Sequence, residues 1–262
     1  MKLVVLMSCM GERDFSIIQR SNIQADVVVV NQCDREDVSK FIFTASDGKE
    51  YNATYICTTE RGLSKSRNLA IKNAPDNSIC LICDDDEMLT EEIGKIITEA
   101  YLNLQDASII TFKVDDLNKS YAKEIRKINY IDILKTSSVQ ITFKKEAISK
   151  YNITFDEKMG AGTGNGSGEE NKFLLDCRRA GLKLYYYPKT IAKLFPSESS
   201  WFKGYNEKYL TDLGWSSRRS MGNVMGILYG CYWIMTHRKL YGSTLSISEA
   251  YKYYYRGFKE NR

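Results

Sequence analysis

Short apolar runs alternate with helix-like stretches along the first 115 residues, and this alternation narrows the choice of fold more than any other feature of the chain. Residues 3–7, 27–30, 78–83 and 108–112 read as buried strands, and residues 64–73 and 90–103 as helices between them. Apolar strands separated by helices are the pattern of βαβ units. An α/β fold with a mostly parallel sheet flanked by helices is therefore expected. Pro75-Asp76-Asn77 supplies a turn, and Thr90 followed by Glu91 and Glu92 is placed to cap and charge a helix start.

Further along, residues 116–138 are polar and weakly patterned, residues 139–143 read as a strand and residues 144–150 as a short helix. Five glycines in nine residues, Gly160 to Gly168, interrupt the pattern and run into a helical stretch at 169–180 and a strand at 182–187. Beyond Trp201 the chain turns helical and aromatic, notably at 221–236 and 246–258. This gives a main domain over 1–195, with halves 1–115 and 116–195, and a helical extension over 196–262. The apolar stretch 227–235 falls well short of the roughly 20 residues a membrane-spanning helix needs.

The net charge of +4 is too mild for a sequence-independent nucleic-acid binder, and it is unevenly spread. Residues 201–262 hold ten Lys/Arg against four Asp/Glu, so the tail carries +6 and the first 200 residues −2. Residues 1–7 are too short an apolar run for a signal peptide and lack a small-residue cleavage site. Seven scattered cysteines do not form a disulfide framework, so a cytoplasmic location is expected. Cys80 and Cys83, on a strand, should face opposite sides of the sheet as buried thiols.

The chemistry concentrates in three places. Asp84-Asp85-Asp86-Glu87 follows a buried strand, which puts a negative cluster at the carboxyl edge of a parallel sheet, where ligands of α/β folds bind. A hard divalent cation would neutralise it; a solvated acidic turn explains the acids equally well. Strand alternation would set Asp84 and Asp86 on one face and Asp85 on the other. Upstream, Arg61, Lys65 and Arg67 surround a helix N-terminus suited to phosphate oxygens, or are simply a solvated helix start. The glycine loop fits no phosphate-loop pattern and reads as a mobile lid. At the helix start behind it, Glu170 shares a face with Phe173, Leu174 and Cys177 and should turn inward, able to act as a general base; dipole compensation would equally explain Glu169 and Glu170. His237, the single histidine, ends an apolar helix and reads as dipole complementation rather than a metal ligand.

Taken together, Gly62-Leu63-Ser64-Lys65-Ser66-Arg67-Asn68, Ile82-Cys83-Asp84-Asp85-Asp86, Phe155-Asp156-Glu157, Gly168-Glu169-Glu170-Asn171 and Gly181 to Pro188 resemble the family 2 glycosyltransferases of the GT-A fold in order and spacing over about residues 1–195. The resemblance implies a nucleotide-sugar donor, with a UDP-sugar expected, bound in the first half by Asp34, Arg61, Lys65, Arg67, Asp84 and Asp85. It implies Mn²⁺ or Mg²⁺ on Asp84 and Asp86, inversion at the anomeric carbon, and Glu170, with Glu169 beside it, as the base. The chain departs from the family in carrying Glu169-Glu170 for the usual Glu-Asp, Asn31-Gln32-Cys33-Asp34 for an acid-rich turn, and Ser8-Cys9-Met10-Gly11 after its first strand.

The acceptor implied is a glycan or lipid-linked hydroxyl of a surface glycan, and residues 199–205 could form an aromatic platform for it or pack in the core. The basic aromatic segment 251–256 suits an anionic membrane surface, on the inner face of the cytoplasmic membrane, as well as a homodimer interface or a solvated helix. Two rivals stand beside the enzyme: a catalytically inactive nucleotide- or glycan-binding scaffold, and a sugar nucleotidyltransferase, whose Gly-rich basic loop is missing after the first strand.

Overall fold

Strands buried on both faces need no alternation, and the first apolar runs form such strands. In the computed structural model, which describes residues 1–115, 119–195 and 204–262, the chain begins β1 (Lys2–Met10), α1 (Ile17–Arg20), β2 (Asp26–Gln32), β3 (Asp37–Thr44), β4 (Glu50–Thr58), α2 (Leu63–Asn73), β5 (Ser78–Asp84), β6 (Glu87–Leu89), α3 (Ile93–Asn103) and β7 (Ile109–Asp115). It continues through β8 (Arg126–Lys127), α4 (Tyr130–Ile133), β9 (Ile141–Lys144), α5 (Lys145–Ser149), α6 (Glu169–Arg179) and β10 (Leu184–Leu194). It ends in α7 (Glu207–Thr236), α8 (Arg238–Tyr241) and α9 (Ile247–Lys259).

One sheet runs in the order β3-β4-β2-β1-β5-β9-β7-β10-β6, with β8 on β10. β4, β2, β1 and β5 are parallel neighbours, as are β7 and β10. β3, β6, β8 and β9 run antiparallel to their partners, so the sheet is mixed, and parallel where the acid cluster lies. Residues 116–195 do not build a separate sheet: β9 inserts between β5 and β7.

Apolar side chains cover both faces. Ile17, Ile93, Ile97 and Tyr101 pack with Val5, Val29, Leu81 and Cys83 on one side. Ala70, Ile71, Ile148, Phe173 and Leu174 pack with Val4, Val28 and Cys80 on the other. Cys80 and Cys83 thus face opposite sides, as the alternation requires. A third core holds Leu210, Trp233, Tyr241, Tyr254 and Phe258 in the C-terminal helices. These helices approach closely: a Cβ on Gly257 would lie 1.8 Å from the Thr211 carbonyl oxygen. The chain breaks helical geometry at Gly222 (φ +77°), so α7 is two segments.

Two expectations are corrected. Thr90 does not cap α3; Glu92 takes that position, and Thr90 Oγ1 donates to the Thr190 and Ile191 carbonyls. The strand expected at 139–143 starts at Ile141, after a 3₁₀ turn over Ser138–Gln140. Residues 37–58, unassigned from the sequence, form the β3–β4 hairpin. Among the described residues no helix is long and apolar enough to cross a membrane.

Candidate active site

Parallel strands bring their carboxyl ends to one edge, and Ser8 of β1 pairs in register with Asp84 of β5 there. The chain leaves β4 and enters α2 through Gly62, whose φ of +123° favours glycine. Its N–H donates to Gln32 Oε1 at 2.8 Å, and the Ser66 hydroxyl meets that of Ser8 at 2.9 Å. These bonds seat α2 so that Arg67, one turn in, points into the protein and is 2% exposed.

Arg67 is the centre of the site. Its Nη2 donates to both Asp84 oxygens at 3.0 and 3.1 Å, and its Nη1 to Glu169 Oε1 at 2.9 Å. The guanidinium also lies 5.5 Å from the Phe155 ring centre. Burial works against its charge, but the Asp84 and then the Glu169 carboxylates outweigh it, and its pKa is raised. A fork of donors holding two carboxylates is the geometry for which arginine is suited.

Around it stands an excess of acid. Asp84 accepts a further bond from the Ser138 hydroxyl at 3.1 Å, and its own N–H donates to Glu87 Oε1 at 2.8 Å. Glu87 is 1% exposed, and desolvation, reinforced by the Asp84 charge, pushes its carboxyl well above the usual range. Asp85 and Asp86 form the turn after β5. Desolvation and the charges of Asp84 and Asp86 raise Asp85. Glu169 is buried against Gly160, and its Oε2 has no hydrogen-bond partner among the described residues. Glu170 is half-buried, and its carboxyl is pushed up to about 8 by desolvation and by Glu169, with Arg67 opposing.

The structure rearranges several sequence expectations. Glu169, not Glu170, is the acid turned furthest inward, because Arg67 draws it in from a position 102 residues away in sequence. Arg67 holds carboxylates rather than presenting itself to phosphate. Asp84 ends its strand and Asp85 and Asp86 lie in the turn, so alternation does not govern the triplet. Arg61 is exposed, its Nη1 donating to the Thr58 and Thr59 carbonyls, and Lys65 pairs with Glu60 at 3.8 Å. Asp34 is exposed just beyond β2. Arg61, Lys65 and Asp34 therefore follow the carboxyl ends of β2 and β4 outside the buried Arg67 network. The glycine loop is docked rather than free: Ala161 O accepts from Leu63 N at 3.0 Å, Met159 O from the Ser64 hydroxyl at 2.8 Å, and Gly164 O from Lys208 Nζ at 2.9 Å. His237 stacks on Trp233 at 4.8 Å. Most of the aromatic platform expected at 199–205 lies outside the described residues, which resume at Gly204.

Sequence reasoning missed Glu87, Ser138 and Gln32. Glu87 looks like one more solvated acid of the run, but it lies on β6, which pairs with β10, and it is buried. Ser138 sits in a segment without periodicity.

The donor set suits a hard divalent cation: it offers carboxylates without nitrogen or sulfur ligands, and their charge exceeds that of Arg67. Among the described residues no three His, Cys, Asp or Glu side chains converge on one point. A metal here would take one or two protein carboxylates and complete its shell with ligand oxygens and water, the habit of Mg²⁺. Asp86, at the turn, and Asp84, steadied by Arg67, are the residues that would hold it.

A match to Glycosyl transferase family 2 spans residues 15–163, more than half of the chain. The chain belongs to this family. No curated protein matches it in sequence. In fold this family 2 glycosyltransferase is similar to S. aureus TarS, residues 1–349, with a TM-score of 0.62 and 14% identity over 99% of this chain and 81% of that one. The same TarS segment in complex with UDP-GlcNAc gives a TM-score of 0.63 at 14% identity, over 97% and 78% of the two chains. Its complex with UDP gives 0.63 at 13% identity, over 99% and 81%. The GT-A fold is thereby shown for this chain, helical C-terminus included.

Proposed function

We propose that this glycosyltransferase moves a single sugar, with inversion, from a UDP-sugar to an acceptor hydroxyl during assembly of a surface polysaccharide or glycolipid, in a reaction dependent on Mn²⁺ or Mg²⁺. The observation that carries the reading is the pair of acids at the start of α6: one locked onto Arg67, the other beside it with its carboxyl raised to about 8. That TarS has been solved with UDP and with UDP-GlcNAc supports the donor class.

The acceptor oxygen attacks the anomeric carbon, its proton passes to Glu170, and the bond from that carbon to the diphosphate oxygen breaks, releasing the nucleoside diphosphate. Glu170 suits this role because a base with a pKa near the working pH both accepts and returns a proton readily. Arg67 fixes Glu169 and Asp84, and through them the α6 start and the strand end on either side of the reacting centre. Arg61 and Lys65 lie beyond that network, near the α2 N-terminus, where a diphosphate is favourably met. A bound metal would supply charge stabilisation to the departing diphosphate.

Thermal unfolding with UDP, GDP and their sugar conjugates, with Mn²⁺ or with chelator, tests the reading. A uridine-selective, metal-dependent stabilisation is expected, about 2.7 kcal/mol at 100 times the dissociation constant. No stabilisation by any of these would refute it.

A further inference from the structure

The second segment of α7 is apolar on two sides, and only one is covered. Counting from Asn223 at 100° per residue, Gly226, Gly230, Trp233 and Ile234 fall on one side and are buried. Tyr254 of α9 closes that side: its hydroxyl donates to Gly226 O at 2.6 Å, and a Cβ on Gly230 would lie 2.2 Å from its ring. On the other side Val224, Met225, Ile227, Leu228, Tyr232 and Met235 fall within an arc of about 160°. All six are exposed, Val224 by 72% and Met235 by 60%. An apolar face of this extent marks an interaction surface.

Charge selects the occupant. No Asp or Glu occurs from residue 213 to 248, a stretch containing Arg218, Arg219, Arg238 and Lys239. Arg218 bonds to Phe258 O and Arg219 to Asp156, whereas Arg238 and Lys239 are exposed just past the end of the apolar stripe, next to exposed Leu240. An apolar stripe that ends in cations and has no acid along its own stretch of chain is complementary to an anionic lipid surface, where acyl chains lie beneath phosphates. The stripe, about 18 Å long, lies along such a surface and is too short to cross it.

We propose that the Val224–Leu240 face docks on an anionic bilayer, its apolar side chains entering the headgroup boundary and Arg238 and Lys239 meeting lipid phosphates. This relocates the membrane contact expected at 251–256: there Tyr254 is buried, and Arg256 is paired with Glu207 at 2.8 Å.

Sedimentation with phosphatidylcholine vesicles, with and without about 30% phosphatidylglycerol, tests it. Strong binding is expected only with the anionic lipid. R238A/K239A should bind about 30-fold more weakly, roughly five-fold per cation. L228S/M235S should lose at least 10-fold while melting like the parent, since both side chains are already exposed. No vesicle binding, equal binding to both vesicle types, or variants that bind like the parent would overturn the proposal. So would a dimer in light scattering that L228S/M235S splits, which would give the face to a second copy of the chain.

Discussion

Replacing Arg67 by methionine keeps an unbranched, flexible stem and removes the guanidinium and its charge, leaving Asp84 and Glu169 to face one another. Breaking a buried ion pair from one side costs about 3–5 kcal/mol. The Asp84 side chain is 22% exposed and rehydrates in part, whereas that of Glu169, 6% exposed, does not, so the lower part of that range, about 3–4 kcal/mol, is expected. At about 2–4 °C per kcal/mol for a protein of this size, the midpoint should fall by about 6–16 °C. Thermal and urea unfolding followed by tryptophan fluorescence would measure it. If the loss comes from stranded charge, Glu169→Gln added to Arg67→Met should recover stability relative to Arg67→Met alone, although Glu169→Gln by itself destabilises. A midpoint shift below about 2 °C, or a double variant no more stable than Arg67→Met, would refute the assignment of Arg67 as the cation that neutralises the site.

Glu170→Gln should bind UDP like the parent and lose about 10²- to 10⁴-fold in kcat, the usual worth of a general base, as read in a transfer or donor-hydrolysis assay. Because the Glu170 carboxyl is raised to about 8, kcat/KM should climb as pH rises through that value. The same shift has a stability consequence: the folded state holds this proton more tightly than the unfolded chain, so its contribution is full below the ordinary glutamate range and is lost as pH rises through about 8. Glu170→Gln should then outlast the parent in urea above pH 8. Asp86→Asn should abolish the Mn²⁺-dependent part of UDP stabilisation in thermal unfolding; an unchanged metal effect would remove Asp86 from the metal site. Gly257→Ala, which drives a methyl into the Thr211 carbonyl, should cost about 3 kcal/mol in urea unfolding.

β1, β2, β5 and β7 were legible because each carries a short apolar run, and α2 and α6 because their periodicity is intact, whereas β4, parallel to β2 but polar through its first half, was not. β3 was not legible either, since this edge strand sets Ser39-Lys40 beside Phe41-Ile42-Phe43 and shows no regular polar–apolar alternation. The Asp47-Gly48 turn was the signal that could have revealed the hairpin. At the site, the residue types and their order were readable, but the orientation of the two acids was not. Helical phase describes a side chain by its neighbours on the same helix, and at a helix start those neighbours are few. What decides between Glu169 and Glu170 is Arg67, brought in by the sheet from another part of the chain. Glu87 illustrates the same limit, for the strand that carries it pairs with β10, more than 100 residues later at Leu194.

The position of β9 bears on how the protein is made. A ribosome delivers β5 and β7 long before residues 141–144 emerge, yet these two strands are joined only through β9. Until then β5 has one open edge and β7 two, the second closed only by β10. Unpaired edges on apolar strands recruit other chains. Synthesis therefore passes through a window, from about residue 115 to residue 194, in which the nascent chain is most prone to aggregate, and a chaperone that shields strand edges would raise its yield most if it acts there.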